Sequence, residues 1–301
     1  MRSLLFVVAI ALAFVASAQP YDVVVAGQQS WCNGAPPPTP RVAEWISVPR
    51  ATRTVGANVG AVAPGIEGRV IGVSDASPAE VVELLPDLTR VRLGALPAGW
   101  AAQNLVEDRV GNLYVLATRP SDVALFFFNA RGALVLSFPL GADYQLLTDN
   151  AAMDLAADQC TLFLAKKDGT IRRLNVCTGG FDLDFAFTLF PDVTDLRVTP
   201  DGGVLVAASG ALLRYDDRGV LIDQYDPSFP ATALTLTHAG TRVMLAGGIC
   251  DPRILEIDLA THAETRIAII QQDLPGTLAP YFAWTAALGD THLVRRRSVR
   301  K

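Results

Sequence analysis

Three polar residues occupy the same place in a repeated phrase, and their side chains could hold a cation or a hydroxylated ligand. Asn104, Asp154 and Asp195 each stand directly before a leucine that opens an apolar run. Two carboxylates and an amide offer the oxygen ligands that a hard divalent cation such as calcium prefers, or acceptors for a polyhydroxylated molecule. Asp and Asn also accept hydrogen bonds from nearby backbone N–H groups, so a local capping role is the competing interpretation.

The phrase itself predicts the fold. Its leucines recur roughly every 40 to 50 residues, a period typical of repeat architectures, and they are Leu105, Leu155, Leu196 and Leu234. Three further apolar runs follow each leucine, separated by Gly, Asp or Asn turns, which indicates four short antiparallel strands per unit. One such sheet cannot bury both of its faces, whereas like sheets packed around an axis can. The sequence therefore predicts an all-β fold, a single β-propeller, with the three polar residues on the innermost strands at the channel mouth.

The number of units predicts the number of blades. A weaker unit at residues 60–99 precedes the four that contain the leucines. A composite sheet made by both termini would close the ring and remove its exposed edges, with candidate strands at 282–288, 292–296, 22–26, 42–47 and 52–55. We therefore expect six four-stranded blades, with seven as the alternative because the two end segments together exceed one ordinary blade.

Two phrases carry a family resemblance. Residues 198–206 (VTPDGGVLV) and 213–219 (LRYDDRG) are similar to repeats of the NHL, YVTN and gluconolactonase-like propellers, and the resemblance extends over about residues 60–272. It implies the propeller fold; the group includes binding modules, lactonases and a streptogramin lyase, so it does not imply one function. The lactonases hold a metal with Glu, Asn and Asp from different blades. Glu67 in residues 64–68 (PGIEG) resembles their Glu-Gly signature, but the expected later Asn-Gly phrase is missing.

The remaining catalytic patterns are weak. The resemblance to streptogramin lyases would require histidines near the channel, but the spacing of His238, His262 and His292 does not bring them together. Residues 25–31 (VAGQQSW) resemble the nucleophile phrase of sialate O-acetylesterase-like hydrolases, with Asp290 and His292 as a distal pair. An extra Gln, a Trp in place of Asn and the absence of α/β helical segments argue against that enzyme class.

The N-terminus predicts export. Arg2, an apolar run at residues 4–15 and small residues at 16–18 are typical of a signal peptide, so residues 1–18 are the predicted signal and 19–301 the mature single domain, secreted or periplasmic. The formal net charge of −5 becomes −6 without Arg2. This mild acidity argues against nucleic acid as a partner. No later apolar stretch is long enough to predict an integral membrane segment.

Export makes disulfides plausible for the four cysteines. Cys160 and Cys177 flank two predicted strands that turn near Asp168, which places them within one residue of facing each other and predicts a bond. Cys32 and Cys250 follow the similar phrases VVVAG and VMLAG. If both phrases are matching strands of adjacent blades, a second bond would join the two ends of the ring.

The function expected from these observations is that of an exported binding module with no assembled catalytic set. Its partner would be a small molecule, a glycan or a protein, and no cofactor is predicted beyond a possible divalent cation. A metal-dependent lactonase or lyase at the channel mouth, built around Asn104, Asp154 and Asp195, is the alternative. A structural component of the cell envelope is the third possibility.

Overall fold

The computed structural model describes residues 21–30, 42–48, 52–57, 59–66, 69–74, 77–85, 89–144, 152–237, 240–247, 253–269 and 279–287. These residues form antiparallel sheets that follow one another along the chain and share one plan. We name five of the sheets blades 1 to 5. The sixth, which contains both ends of the described chain, is the closing blade.

The closing blade takes its innermost strand from the C-terminal side and three strands from the N-terminal side. Its order from inside to outside is β25 (Ala279–Ala287), β1 (Tyr21–Ser30), β2 (Val42–Val48) and β3 (Thr52–Ala57). Antiparallel pairing joins β25 to β1, with Val23 opposite Ala287. Ring closure by both chain ends is therefore confirmed. The predicted strand at 292–296 lies outside the described residues.

Blades 1, 2, 4 and 5 each run outward from the channel in four consecutive strands. Blade 1 contains β4 (Val59–Pro64), β5 (Val70–Ser74), β6 (Glu80–Leu84) and β7 (Arg90–Ala95); blade 2 contains β8 (Ala101–Glu107), β9 (Leu113–Arg119), β10 (Asp122–Phe128) and β11 (Leu134–Pro139). Blade 4 contains β17 (Val193–Val198), β18 (Val204–Ala208), β19 (Ala211–Tyr215) and β20 (Leu221–Tyr225); blade 5 contains β21 (Ala231–Thr237), β22 (Arg242–Gly247), β23 (Arg253–Asp258) and β24 (Glu264–Ile269).

Blade 3 departs from this plan at its outer edge. It contains β12 (Met153–Leu155), β13 (Thr161–Ala165), β14 (Thr170–Asn175), β15 (Gly180–Phe181) and β16 (Ala186–Phe187), and a 3-10 turn at Ala142–Tyr144 precedes it. Both β15 and β16 pair with β14, and the register changes by two residues between them. The extra residues break the outer strand. Five of the sheets thus have four strands and blade 3 has five, so the expectation of six uniform four-stranded blades, or of seven, is wrong for the described residues.

The innermost strands contact one another in cyclic order. The chain of contacts runs from β4 through β8, β12, β17 and β21 to β25, which contacts β4 again. Apolar clusters fill the seams between neighbouring blades: Leu105 packs with blade 1, Leu155 with blade 2, Leu196 with blade 3 and Leu234 with blade 4. Each anchoring leucine is at most 5% exposed. The repeated leucine is therefore the residue through which each blade buries itself against the preceding one.

Each of four innermost strands contains a β-bulge at the same place. The register shifts directly before Ala61, Asn104, Asp195 and Ala233. The strands begin at one end of the channel, which we call the upper face, and the bulge follows within their first few residues. A bulge adds one residue and redirects the side chains beside it. The positions identified in the sequence repeat thus lie just below the upper mouth.

Outer turns of two blades require glycine. Gly132 has a φ of +76°, and an added Cβ would lie 1.5 Å from the Leu93 carbonyl oxygen of blade 1. Gly219 has a φ of +80°, and its Cβ would lie 1.9 Å from the Phe185 oxygen of blade 3. In both cases the turn between third and fourth strands lies against the outer strand of the preceding blade, so any side chain would separate the blades.

The predicted hairpin disulfide is present. The Sγ atoms of Cys160 and Cys177 are bonded, and their Cα atoms are 5.2 Å apart. The register places Thr161 opposite Asn175, so Cys160 lies one position and Cys177 two positions beyond this pair, within one residue of facing each other as the sequence predicts. Cys32 and Cys250 lie outside the described residues, as do the predicted signal residues 1–18. No helix within the described ranges has the length and hydropathy to cross a membrane.

Candidate functional site at the inner edge of the blades

The wall of the channel is made of edge strands. An innermost strand pairs with a neighbour on its outer side alone, so every second backbone N–H points toward the channel without a ladder partner. Such donors cost free energy when they are buried and unpaired. The structure gives them acceptors from the side chains of Asn104, Asp154 and Asp195, which are 2%, 8% and 2% exposed.

Asp154 joins blade 3 to blade 4. Its Oδ1 accepts a hydrogen bond from the N–H of Leu155, at 2.9 Å. Its Oδ2 accepts one from the N–H of Val198 in β17, at 2.8 Å. One carboxylate thereby holds two backbone groups that belong to adjacent blades.

Asp195 makes the same kind of connection between blades 4 and 5. Its Oδ1 accepts the N–H of Leu196 at 2.9 Å, and its Oδ2 accepts the N–H of Leu234 in β21, also at 2.9 Å. A third donor, Nη1 of Arg197, lies 2.9 Å from Oδ1 and also donates to the Leu196 carbonyl oxygen at 2.7 Å. The Arg197 side chain is only 5% exposed. The ion pair is therefore enclosed by protein.

The electrostatics of Asp195 reflect this enclosure. Burial raises the pKa of its carboxyl from 3.8 to about 6, because the loss of hydration outweighs the positive charge of Arg197 and the two backbone donors. The negative charge of Asp154 raises it further. A buried carboxyl with such a raised pKa is a feature of many functional sites, but it also occurs in structural ion-pair networks.

Asn104 accepts one of the corresponding backbone hydrogen bonds, and two matched positions have no side-chain acceptor. The Asn104 Oδ1 accepts the N–H of Leu105 at 2.7 Å. In blades 1 and 5 the equivalent positions are Ala61 and Ala233, which carry no acceptor. Among blades 1 to 5, side-chain acceptors at this position thus occur in blades 2 to 4. The capping interpretation is the one whose contacts are present, and it extends across seams to the next blade.

The chemistry of the set follows from these contacts. In Asp154 and in Asp195 both oxygens already accept backbone hydrogen bonds. Within the described ranges, no group of three or more His, Cys, Asp or Glu side chains has a spacing that could hold a metal ion. A direct ligand or metal role for Asn104, Asp154 and Asp195 stays a prediction.

One of the other predicted candidates, His262, is described, and it lies on the outer part of a blade. His262 lies in the turn between β23 and β24, where its Nε2 is 2.7 Å from Oδ2 of Asp223 in blade 4. Its ring also lies 5.1 Å from that of Tyr225. Glu67, His238 and His292 are outside the described residues. Ser30, which belongs to the hydrolase-like phrase at residues 25–31 that the sequence analysis argued against, ends β1 in an antiparallel, all-β structure.

Another buried carboxylate, Glu107, was not identified in the sequence analysis. It lies at the lower end of β8, and its Oε2 accepts the N–H of Ile66 at 2.7 Å and Nε of Arg69 at 3.2 Å. Its Oε1 pairs with Nη2 of Arg69. Gly65 makes room for it, since a Cβ there would lie 2.6 Å from Oε2. The signal was visible as an acidic residue at the end of an apolar phrase, but its partners lie about 40 residues away in the sequence.

Comparison with known proteins addresses the fold alone. No protein-family profile matches the chain, and no curated protein matches its sequence. Solved structures do match. A protein of unknown function from Bacteroides caccae has a TM-score of 0.63 at 11% identity, covering 90% of this chain and 99% of that one. A gluconolactonase from Xanthomonas campestris has a TM-score of 0.57 at 15% identity, covering 75% and 84%.

A protein from Lactobacillus plantarum has a TM-score of 0.53 at 12% identity and covers 90% of this chain and 100% of that one. The chain has a β-propeller fold. Its resemblance to gluconolactonase-like propellers is confirmed at the level of fold. Identities this low do not transfer an activity.

Proposed function

We propose that the chain is an exported binding module whose propeller presents its upper face to a small molecule, a glycan or a protein. The observation that carries the proposal is the use of the channel carboxylates. Asp154 and Asp195, which a catalytic centre would need, are the acceptors for inner-edge N–H groups of two blades each. In this proposal they hold the walls of the channel beneath the bound partner and do not act on it.

The export component of the proposal has its own support. A disulfide between Cys160 and Cys177 is typical of proteins that fold in an oxidising compartment. The sequence of residues 1–18 has the features of a signal peptide. Expression with these residues in a bacterial host, followed by fractionation and N-terminal sequencing, should yield an extracytoplasmic protein that begins at Gln19. Retention of an intact N-terminus in the cytoplasmic fraction would contradict export.

A metal-dependent lactonase or lyase at the channel is the second candidate, and the raised pKa of Asp195 beside Asp154 favours it. The test compares thermal unfolding of EDTA-treated protein with and without Ca²⁺, Mg²⁺, Mn²⁺ or Zn²⁺, because a cation that binds the native state raises its Tm. The binding-module proposal predicts no specific shift and no hydrolysis of gluconolactone. Metal-dependent stabilisation that is lost in Asp154→Asn, accompanied by lactone hydrolysis, would replace the proposal with the enzyme.

The third possibility, a structural envelope component, differs in how the protein is recovered. A binding module should elute as a discrete particle after gentle extraction. Recovery of the native protein only in large envelope assemblies, from which detergent does not release it, would favour the structural role.

A further inference from the structure

The outermost strand of blade 2 has an open edge that carries no charge. Among the described strands, β11 pairs with β10 alone. Residues 133–140 (ALVLSFPL) contain no charged side chain, and Leu134, Val135 and Leu136 are 42%, 54% and 52% exposed. An open edge strand offers unpaired backbone groups to a strand of another chain, and charged side chains are a common protection against such pairing. The edge of β11 lacks this protection.

Backbone hydrogen bonds show which residue of β11 faces outward. The N–H of Asn129, at the end of β10, donates to the Ala133 carbonyl oxygen at 3.0 Å, so Asn129 faces β11. Backbone groups alternate in direction along an antiparallel strand, and Phe126, three residues earlier, therefore faces the other way. Ser137 is exposed and lies opposite Phe126. The N–H and C=O of Ser137 consequently point away from the blade.

The other blades differ at the position that Ser137 occupies. This position lies opposite the third-strand residue that is three places before the outer turn. The matched residues are Arg92 in blade 1, Gln224 in blade 4 and Arg266 in blade 5. In blade 3 the outer strand is broken at this place. Blade 4 also has an acid, Asp223, where blade 2 has Leu136. A strand paired with its own copy at this position would set arginine against arginine in blades 1 and 5, which is unfavourable.

From this comparison we infer that two copies of the chain pair through the open edges of β11, antiparallel and around a two-fold axis at Ser137. Ser137 then lies opposite its own copy, and Leu136 lies opposite Phe138 of the second copy on one face of the sheet. Cross-strand pairs of an aliphatic and an aromatic side chain stabilise antiparallel sheets. A two-fold contact uses the same surface on both copies, so the assembly closes at a dimer.

The dimer has a defined arrangement. The four strands of blade 2 in each copy join into one eight-stranded sheet. Because antiparallel pairing reverses the strand direction between the copies, the upper faces of the two propellers point to opposite sides. The inference concerns assembly and does not depend on the proposed binding function.

The first measurement is sedimentation equilibrium from about 1 μM to about 1 mM, a range that includes weak association. The parent should form a dimer. Ser137→Arg gives blade 2 the residue type of blades 1 and 5 and should weaken the dimer at least about tenfold, because it sets like charges against each other. Gln224→Arg is the control at the matched exposed position of blade 4 and should dimerise like the parent.

Three results of this measurement would overturn the inference. A parent that is monomeric across the range would leave the edge of β11 to a strand of another protein. A dimer that Ser137→Arg does not weaken would have its contact elsewhere. A dimer that Gln224→Arg weakens as much would not be specific to blade 2. Both positions are exposed, so both variants should keep the Tm of the parent.

The second measurement tests the position of the two-fold axis by cross-linking. Directly opposite residues of antiparallel strands have Cβ atoms about 5 Å apart, so Ser137→Cys treated with a short bismaleimide should give a covalent dimer on a denaturing gel. Gln224→Cys is the matched control, and the parent controls for the four native cysteines. Equal yields of covalent dimer from Ser137→Cys and Gln224→Cys, or no covalent dimer from Ser137→Cys, would overturn the pairing at Ser137.

Discussion

The seam between blades 4 and 5 and the seam between blades 1 and 2 are held by buried carboxylates at opposite ends of the innermost strands. Asp195 lies just below the upper bulge and accepts the N–H of Leu234 across its seam. Ala61 occupies the matched position in blade 1, and that seam is joined at its lower end, where Glu107 accepts the N–H of Ile66. Both carboxylates replace backbone pairing that a radial arrangement of sheets cannot provide.

The two seams differ in what happens to the positive charge. Arg197, the partner of Asp195, is 5% exposed, whereas Arg69, the partner of Glu107, is 26% exposed and also lies 3.8 Å from Glu83. If its carboxylate is removed, Arg69 keeps access to water and lies near a second acid, Glu83, whereas the Arg197 side chain stays enclosed by protein. An enclosed charge without its partner costs much more than a hydrated one. Removal of the carboxylate should therefore destabilise the fold more at the upper connection than at the lower one.

The largest expected effect is that of Asp195→Ala. The substitution leaves Arg197 and two backbone N–H groups without this acceptor, so the free energy of unfolding near neutral pH should fall by about 3–5 kcal/mol in urea titrations. Asp217→Ala, at an exposed position of the same blade, should change it by less than about 0.5 kcal/mol.

Combining Asp195→Ala with Arg197→Met sharpens this test. Removing both charges should recover a large part of the loss, since an apolar replacement of a buried pair is often neutral. A double variant no more stable than Asp195→Ala would show that the enclosed Arg197 charge is not the cause.

The pH dependence of the upper seam should be next in size. The folded-state pKa of Asp195 is raised from 3.8 to about 6, so the folded protein binds more protons than the unfolded chain between these values. The stability that this carboxyl contributes is therefore fully present below about pH 4 and is lost as pH rises to about 6, by roughly 3 kcal/mol in total. The difference in unfolding free energy between the parent and Asp195→Asn should fall across this window and level off above it; a difference that is constant with pH would contradict the assignment.

The lower seam should respond less. Glu107→Gln keeps the shape and one acceptor but removes the charge that Arg69 faces, so we expect a loss of about 2 kcal/mol in the free energy of unfolding. Adding Arg69→Met to Glu107→Gln should lower the free energy of unfolding only a little further, because Arg69 is already partly hydrated. If Glu107→Gln cost as much as Asp195→Ala, the contrast between the two seams would be wrong.

The smallest effect concerns the bulge above Asp195. The Thr194 hydroxyl reaches the carbonyl oxygens of Ala207 and Ala231, one in each of two blades. Thr194→Val replaces the hydroxyl with a methyl group of nearly equal size. The loss of this donor should lower the free energy of unfolding by about 1 kcal/mol. Thr194→Ser, which keeps the hydroxyl, serves as the control and should retain most of that stability.

The parts of this arrangement that sequence could predict are those encoded within one blade. The repeated leucines predict radial packing, and the turn at Asp168 fixes a hairpin register that brings Cys160 and Cys177 together. The position of Asp195 after a bulge was visible only as a recurring place in the repeat. Arg197 was visible as a charged residue between two apolar ones, but nothing local indicated that it is enclosed.

The connections across seams could not be predicted in the same way. Whether Asp154 meets a metal or the N–H of Val198 depends on the height at which β17 lies beside β12, and that height is set by packing between blades. The broken outer strand of blade 3 is another example. The register changes by two residues between Phe181 and Ala186, and the composition of this segment does not indicate the change. Long-range register is the information that a single repeat does not carry.

The claim that the channel carboxylates are acceptors for backbone groups of the next blade is tested most directly by amide hydrogen exchange. Asp154→Ala should accelerate exchange of the Val198 amide, and Asp195→Ala that of Leu234, each at least about tenfold beyond the change at Val206 in the second strand of blade 4. Each variant should leave the other's target in line with Val206. Amides of Val198 and Leu234 that exchange no faster than Val206 in either variant would contradict the account.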